Sequence, residues 1–429
     1  MNINKLLQGV DCPCGKRHTC NIESVYIENG AAKHLIDLCA EYEEILLIAD
    51  ENTYRAAGEC VETVLKNKKL TRVIFTGEHV LIPNEEAIAT VMEASATASA
   101  LLGIGSGVIQ DLAKYVSHVT SLPYMIFATA PSMDGYASDG AAMILGGMKE
   151  TVKAGLPRAI LADPEVLKNA PMEMIVAGYG DIVGKYSALN DWCLSACING
   201  EYFCDDIYQT TSEMIEKTLS LREDILARDE RGIQALMEAL IVVGIMMRFA
   251  GCSRPASGSE HHLSHFFEIV GIVKGETYLP HGIDVAYSTL ITAKIREALI
   301  DIPFPHTLYR EAKEDLSRRL QEIYGSVGES CLALQEKIGS YHTARAAVYQ
   351  EREQEIKAIL RDTKKAKEIE QILTEVGLKP SAFFELYGEE KIKNAIRYAK
   401  DLKDRYTVLW LFYDLCGDAE KINIMGETE

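Results

Sequence analysis

The sequence predicts an α/β N-terminal domain built on a Rossmann-like parallel sheet, followed by an all-α C-terminal domain. Two observations carry this. In the first third, short apolar runs alternate with amphipathic stretches at the spacing of right-handed βαβ units. From about Pro164 the strand signals stop, and long helical patterns run through to Leu415. The change places domains at 1–163 and 164–429, and 429 residues suit two domains of ordinary size.

The expected strands are Ile45–Ala49, Val73–Thr76, Leu101–Ile104 and Tyr124–Ala128, each a short apolar run. Tyr54–Lys66 and Glu85–Ala98 are the expected helices between them. In the second half the strongest apolar run, Leu240 to Met247, is bracketed by Glu238 and Arg248. A bilayer span needs about 18 consecutive apolar residues, so this run is expected to be a buried helix. The charged stretch from Arg310 to Lys403 reads as helical, with Gly377-Leu378-Lys379-Pro380-Ser381 as its break.

Hydrophobic residues at 48% and charged residues at 25% exclude a disordered chain. Lys+Arg 44 against Asp+Glu 63 gives a net charge of -19, which argues against nucleic acid or an anionic membrane as a partner. An anionic ligand would then need positive charge supplied locally. The first residues, Met1 to Leu7, lack a signal-like apolar core, and the 11 cysteines are scattered from Cys12 to Cys416. Both features point to reduced thiols in a cytoplasm. The run Cys12-Pro13-Cys14-Gly15-Lys16-Arg17-His18-Thr19-Cys20 lacks the second cysteine pair of a zinc knuckle and is expected to be a turn leading into a strand.

After the strand at Leu101–Ile104 comes Gly105-Ser106-Gly107-Val108-Ile109-Gln110-Asp111. Glycines at a strand-to-helix turn let backbone approach a phosphate, and the helix start offers free N–H groups. The alternating glycines differ from the G-x-G-x-x-G pattern, and such a turn is often only a tight turn. Asp50, ending an earlier strand, would accept hydrogen bonds from a ribose hydroxyl and disfavour a 2′-phosphate, so NAD(H) is expected to serve at least as well as NADP(H).

Four of the 10 histidines fall between positions 261 and 281. His261 and His265 are four apart and share one helix face. His281 follows in Leu279-Pro280-His281-Gly282, where a loop opens the next helix. Imidazoles with a carboxylate suit zinc, nickel or iron, which the ligand types do not separate. His262 faces away and is expected to be an ordinary solvated side chain.

These segments together resemble the iron-containing alcohol dehydrogenase and dehydroquinate synthase superfamily and, within it, the bacterial glycerol-1-phosphate dehydrogenases. The resemblance runs from about Ser24 to Gly282. Besides the glycine loop it rests on Thr129-Ala130-Pro131-Ser132-Met133-Asp134-Gly135-Tyr136-Ala137-Ser138, Gly178-Tyr179-Gly180-Asp181-Ile182-Val183-Gly184-Lys185-Tyr186, Ser253-Arg254-Pro255-Ala256-Ser257-Gly258-Ser259-Glu260-His261 and Pro280-His281-Gly282.

The resemblance implies a dehydroquinate synthase-like fold, with 1–163 binding the dinucleotide and 164–429 binding metal and substrate. It implies a divalent metal on Asp181, His261 and His281, with Asp134, Asp181 and His265 around the substrate and Asp134 and His265 catalytic. It implies NAD(P)H contacts from Gly105, Gly107, Val108, Ile109, Gln110, Asp111, Thr129, Ala130, Pro131, Ser132 and Ser138, alongside Asp50. The implied reaction is reversible reduction of dihydroxyacetone phosphate to sn-glycerol 1-phosphate by a homodimer. A held cation would acidify the substrate hydroxyl. Lys153, Arg158, Lys185 and Arg254 are candidates for the substrate phosphate. The rival readings are a glycerol or polyol dehydrogenase, a dehydroquinate-synthase-like enzyme, and a silent binding protein on the same fold.

Overall fold

A computed structural model describes residues 3–77, 81–146 and 148–417. Two compact units emerge from the packing: 1–182 with 209–252, and 183–208 with 253 onward.

The first unit is organised by a six-stranded sheet. Its strands are β1 (Ser24–Ile27), β2 (Glu44–Asp50), β3 (Lys69–Phe75), β4 (Ala100–Gly105), β5 (Tyr124–Ala128) and, after a β6–β7 hairpin (Gly140–Leu145 and Met148–Lys153), β8 (Ala159–Ala162). The order across the sheet is β1-β8-β5-β4-β2-β3, with every pair parallel. Residues 45–49 of β2 and all of β4 and β5 are buried on both faces, which is why these strands read as unbroken apolar runs. Helices α1 (Glu51–Val64), α2 (Glu85–Ala94) and α3 (Gly107–Thr120) are the crossovers.

The chain leaves β2 outward to β3, then returns to place β4 on the other side of β2. The carboxyl ends of β2 and β4 therefore form a topological switch point, where open α/β sheets bind ligands. Asp50 ends β2, and Gly105 ends β4.

All four expected strands are present. Two further sheet strands and the hairpin carry weaker signals. The edge strand β1 is half-polar, and β8 is only four residues, Ala-Ile-Leu-Ala. The sheet unit also holds a long helix, α5 (Glu230–Ala250), once α4 (Met172–Asn199) has been passed. Among the described residues, α5 alone is long and apolar enough to cross a membrane, yet 72% of its most apolar window is buried inside the protein. It packs against β1 and the 135–137 turn. The sequence boundary at 163/164 marks where strands end, whereas the division by packing keeps α5 with the sheet.

The second unit is helical. Its centre is α6 (Ser259–Lys274) against α7 (His281–Ile300). Buried Asp191 pairs with Arg296 at 2.9 Å and accepts the N–H groups of Ser259 and Val408 at 2.6 and 2.8 Å. A buried carboxylate satisfied this way fixes the start of α6. The charged tail packs against these two helices: Phe383 and Tyr387 of Pro380–Tyr398 meet Phe267 and Tyr287. The break at 377–381 falls where Ala366–Glu375 ends and Pro380 opens the next helix.

Candidate active site

At the end of β4 the glycines have two different causes. A Cβ on Gly103 would stand 2.8 Å from Ile126, and one on Gly105 would stand 2.6 Å from Ile109. These two let α3 pack on the sheet. A Cβ on Gly107 would meet only Met133, at 3.9 Å, so no protein atom requires glycine there. Ser106, in the N-cap position, makes no side-chain cap, leaving the first N–H groups of α3 without that partner.

The neighbouring residues divide similarly. Ile109 is core, and the Gln110 amide donates to the Tyr136 carbonyl at 3.1 Å. The Asp50 carboxylate caps α1, with Oδ1 accepting the N–H groups of Asn52 and Thr53 at 2.8 and 2.9 Å. Such a cap contributes about 1 kcal/mol. Thr129 N–H returns to the Gly105 carbonyl at 3.1 Å, so residues 129–132 run beside the glycine turn. Tyr136 Oη donates to the Ala130 carbonyl at 2.7 Å, and Ser138 Oγ donates to that of Gly135 at 3.1 Å.

Three residues to which the sequence assigns no role shape this loop. Buried Lys114 sends Nζ to the carbonyls of Gly135 and Gly140 at 3.1 and 2.7 Å and lies 3.6 Å from Asp111. Gly178 of α4 lies so close to the Pro131 carbonyl that a Cβ would sit 1.8 Å from its oxygen. Gly244 of α5 takes the same role toward Asp134 and Ala137. Behind the loop, Asp134 N–H donates to Asp181 Oδ2 at 3.0 Å, which orients that fully buried carboxylate.

On α6 and the start of α7 the helical spacing brings the histidines together. Ring centroids of His261 and His281 are 5.1 Å apart, and His265 lies 6.3 and 5.7 Å from the two. His261 Nδ1 donates to Glu260 Oε1 at 2.7 Å, and His281 Nδ1 lies 3.4 Å from Ser264 Oγ. Each contact is made through Nδ1, the kind of outer-shell hydrogen bond that orients a metal-binding histidine. Burial pushes the His261 imidazole well below its usual value, with the charges of Lys185 and His281 adding to the effect. That shift favours the neutral form a metal ligand needs. The donor atoms of Asp181, His261 and His281 all lie within 4.8 Å of one another. One carboxylate and two imidazoles at this spacing fit a single divalent ion with coordination positions left for substrate.

Several expectations change. His262 is buried, not solvated, and neither ring nitrogen has a hydrogen-bond partner among the described residues. Arg254 is committed to Glu201, Ser195 and the Tyr406 carbonyl, and Arg158 to Glu23, Glu41 and Tyr42, so neither is available to a substrate phosphate. Lys153 is exposed on the hairpin. Lys185 is buried, and its charge acts on His261 together with those of Lys403 and Arg405, two tail residues that no motif marks. Tyr387, also in the tail, accepts Leu279 N–H at 3.0 Å and donates to Asp284, which fixes the turn presenting His281.

The parallel sheet, its switch-point glycine turn and the His–Asp cluster define a metal-dependent dehydrogenase of the iron-containing alcohol dehydrogenase fold. The family description "Iron-containing alcohol dehydrogenase" matches residues 26–171. An iron-containing alcohol dehydrogenase from Thermococcus thioreducens superposes with a TM-score of 0.61 at 14% identity, covering 92% of this chain and 98% of that one. A glycerol-1-phosphate dehydrogenase [NAD(P)+] of Bacillus licheniformis is 30% identical over 93% of this chain and 90% of its own length. Its counterpart in Halalkalibacterium halodurans is 31% identical over 80% and 93%. The chain belongs to the glycerol-1-phosphate dehydrogenase family.

Proposed function

We infer that the chain is an NAD(P)-dependent oxidoreductase that reduces dihydroxyacetone phosphate to sn-glycerol 1-phosphate, reversibly. The observation that carries this is the match to relatives of that name along nearly their whole length, with an Asp–His–His donor set in the same chain.

In this reading Asp181, His261 and His281 hold one divalent ion, which when bound polarises the ketone oxygen in reduction and acidifies the hydroxyl in the reverse direction. The dinucleotide, when bound, supplies the hydride that adds to the ketone carbon. What the chain supplies is placement. Asp134 N–H orients Asp181, Glu260 orients His261, and Tyr387 holds the turn before His281. The N–H groups opening α3 beside Gly107 would hold the pyrophosphate, and Thr129 to Ser132, Ser138 and Asp50 would complete the dinucleotide site. Val108 to Asp111 support that turn. His265 and Asp134 bound the substrate and pass the proton that the oxygen gains.

Lys185, Lys403 and Arg405 supply the positive charge that an anionic substrate needs in a chain of net charge -19. The sheet domain at 1–163 takes the dinucleotide, and 164–429 takes metal and substrate. A cytoplasmic homodimer, without nucleic-acid or membrane partners, completes the proposal. The test is turnover of dihydroxyacetone phosphate with NADH and NADPH across zinc, nickel and iron. Robust glycerol oxidation with no turnover of the phosphorylated ketone would favour the polyol dehydrogenase reading instead.

A further inference from the structure

The segment Cys12-Pro13-Cys14-Gly15-Lys16-Arg17-His18 offers three soft ligands in seven residues, with no second cysteine pair nearby in sequence. It folds as a tight turn. Gly15 N–H donates to the Cys12 carbonyl and Cys12 N–H to that of Lys16, both at 3.0 Å. Gly15 has a φ of 86°, a conformation that a side chain would strain. The two-residue ladder of Val10–Asp11 with Arg17–His18 closes the turn.

The turn gathers its donor atoms. Cys14 N–H lies 3.5 Å from Cys12 Sγ, and Cys14 Sγ lies 3.4 Å from His18 Nε2. His18 is buried, with Nδ1 at 3.0 Å from the Phe249 carbonyl and its ring stacked on that phenyl group. This second contact fixes the ring so that Nε2 points at the sulfur, the arrangement expected of a metal-bound imidazole. The missing fourth donor comes from far along the chain. Cys204 is 1% exposed and immediately precedes the helix Asp205–Ser220. The donor atoms of Cys12, Cys14, His18 and Cys204 all lie within 4.8 Å of one another.

We propose that Cys12, Cys14, His18 and Cys204 form a structural zinc site, separate from the ion assigned to the catalytic histidines. Zn–S bonds of about 2.3 Å and a Zn–N bond of about 2.0 Å, set tetrahedrally, require donor separations of roughly 3.5–3.8 Å. The Cys14–His18 distance of 3.4 Å is already close to this range. Three thiolates with one imidazole select zinc over magnesium or calcium. Four protein donors leave no open position, so the site takes no part in the reaction.

The test uses the full chain. Protein purified without added metal should retain zinc through a chelator dialysis that empties the Asp181–His261–His281 set. That zinc should be released in step with titration of thiols by a mercurial. With cobalt(II) in place of zinc, the near-ultraviolet spectrum should show thiolate-to-cobalt charge transfer. The band should be lost in Cys14→Ser and Cys204→Ser and retained in His281→Ala and in the exposed-cysteine control Cys60→Ser. Absence of the band from the wild-type protein, a disulfide among these cysteines, or full zinc and band in Cys204→Ser would overturn the assignment. If the serine variants do not accumulate, mercurial titration of the wild-type protein decides: zinc leaving independently of thiol titration, or no zinc at all, overturns it. His281→Ala keeps this test distinct from the dehydrogenase reading, because it removes the other ion alone.

Discussion

Replacing Gly178 with Ala should damage catalysis through backbone placement alone. The added Cβ would stand 1.8 Å from the Pro131 carbonyl oxygen and 2.8 Å from its carbon. An ordinary C···O contact is about 3.3 Å, so α4 and the 129–134 loop must part by about 1.5 Å. The obstacle is backbone, so no side-chain rotation relieves it. The same loop carries Asp134, whose N–H orients Asp181 three residues beyond Gly178. Misplacement of about 1 Å can cost roughly 10²-fold in rate, and overpacking typically costs about 1–3 kcal/mol of stability. Gly178→Ala should therefore lower kcat/KM by about 10²-fold and lower Tm. The contrast is Gly107→Ala, whose Cβ meets only Met133 at 3.9 Å. That variant should hold its Tm but raise KM for NADH, since the space its Cβ would enter is the one proposed for the dinucleotide. Wild-type kcat/KM and Tm in Gly178→Ala would refute the packing argument, and an unchanged NADH KM in Gly107→Ala would refute the placement of the pyrophosphate.

Other outcomes follow from the same geometry. His281→Ala should lose the catalytic ion and activity while NADH binding, followed by fluorescence, stays near wild type. Tyr387→Phe removes the partner of Leu279 N–H and should weaken metal affinity by about 10-fold, read by chelator competition. Lys403→Ala should raise KM for dihydroxyacetone phosphate while sparing that for NADH, as measured by steady-state kinetics. Glu44 is held down at about 2 by Lys69, Thr71 and Thr97. Its folded pKa lies below the unfolded one, so its contribution is present above about pH 4.5 and lost toward pH 2. Glu44→Gln should accordingly flatten the acid-denaturation curve in that window.

Legibility in the sequence followed how local each signal was. The strands β2, β4 and β5 are buried on both faces and announce themselves as apolar runs. The strand β8 is too short, and β1 too polar, for periodicity to find. His261, His265 and His281 were readable because helical spacing and one loop bring them together. Asp181 sits on a buried helix without local distinction, and only the resemblance pointed to it. Lys403 and Arg405 act on His261 by charge, and Tyr387 holds the turn before His281, through tertiary packing of a tail with no motif. The arginines show the reverse error. Arg254 lies inside a matched motif, but its guanidinium is consumed by Glu201 and Tyr406.

The most direct test of the central claim is the reduction of dihydroxyacetone phosphate by NADH or NADPH, with the product's configuration determined enzymatically. Metal-stripped protein should be inactive and regain activity with a divalent ion, forming sn-glycerol 1-phosphate with stoichiometric loss of reduced dinucleotide. Formation of the 3-phosphate, or full turnover in the stripped protein, would contradict the account.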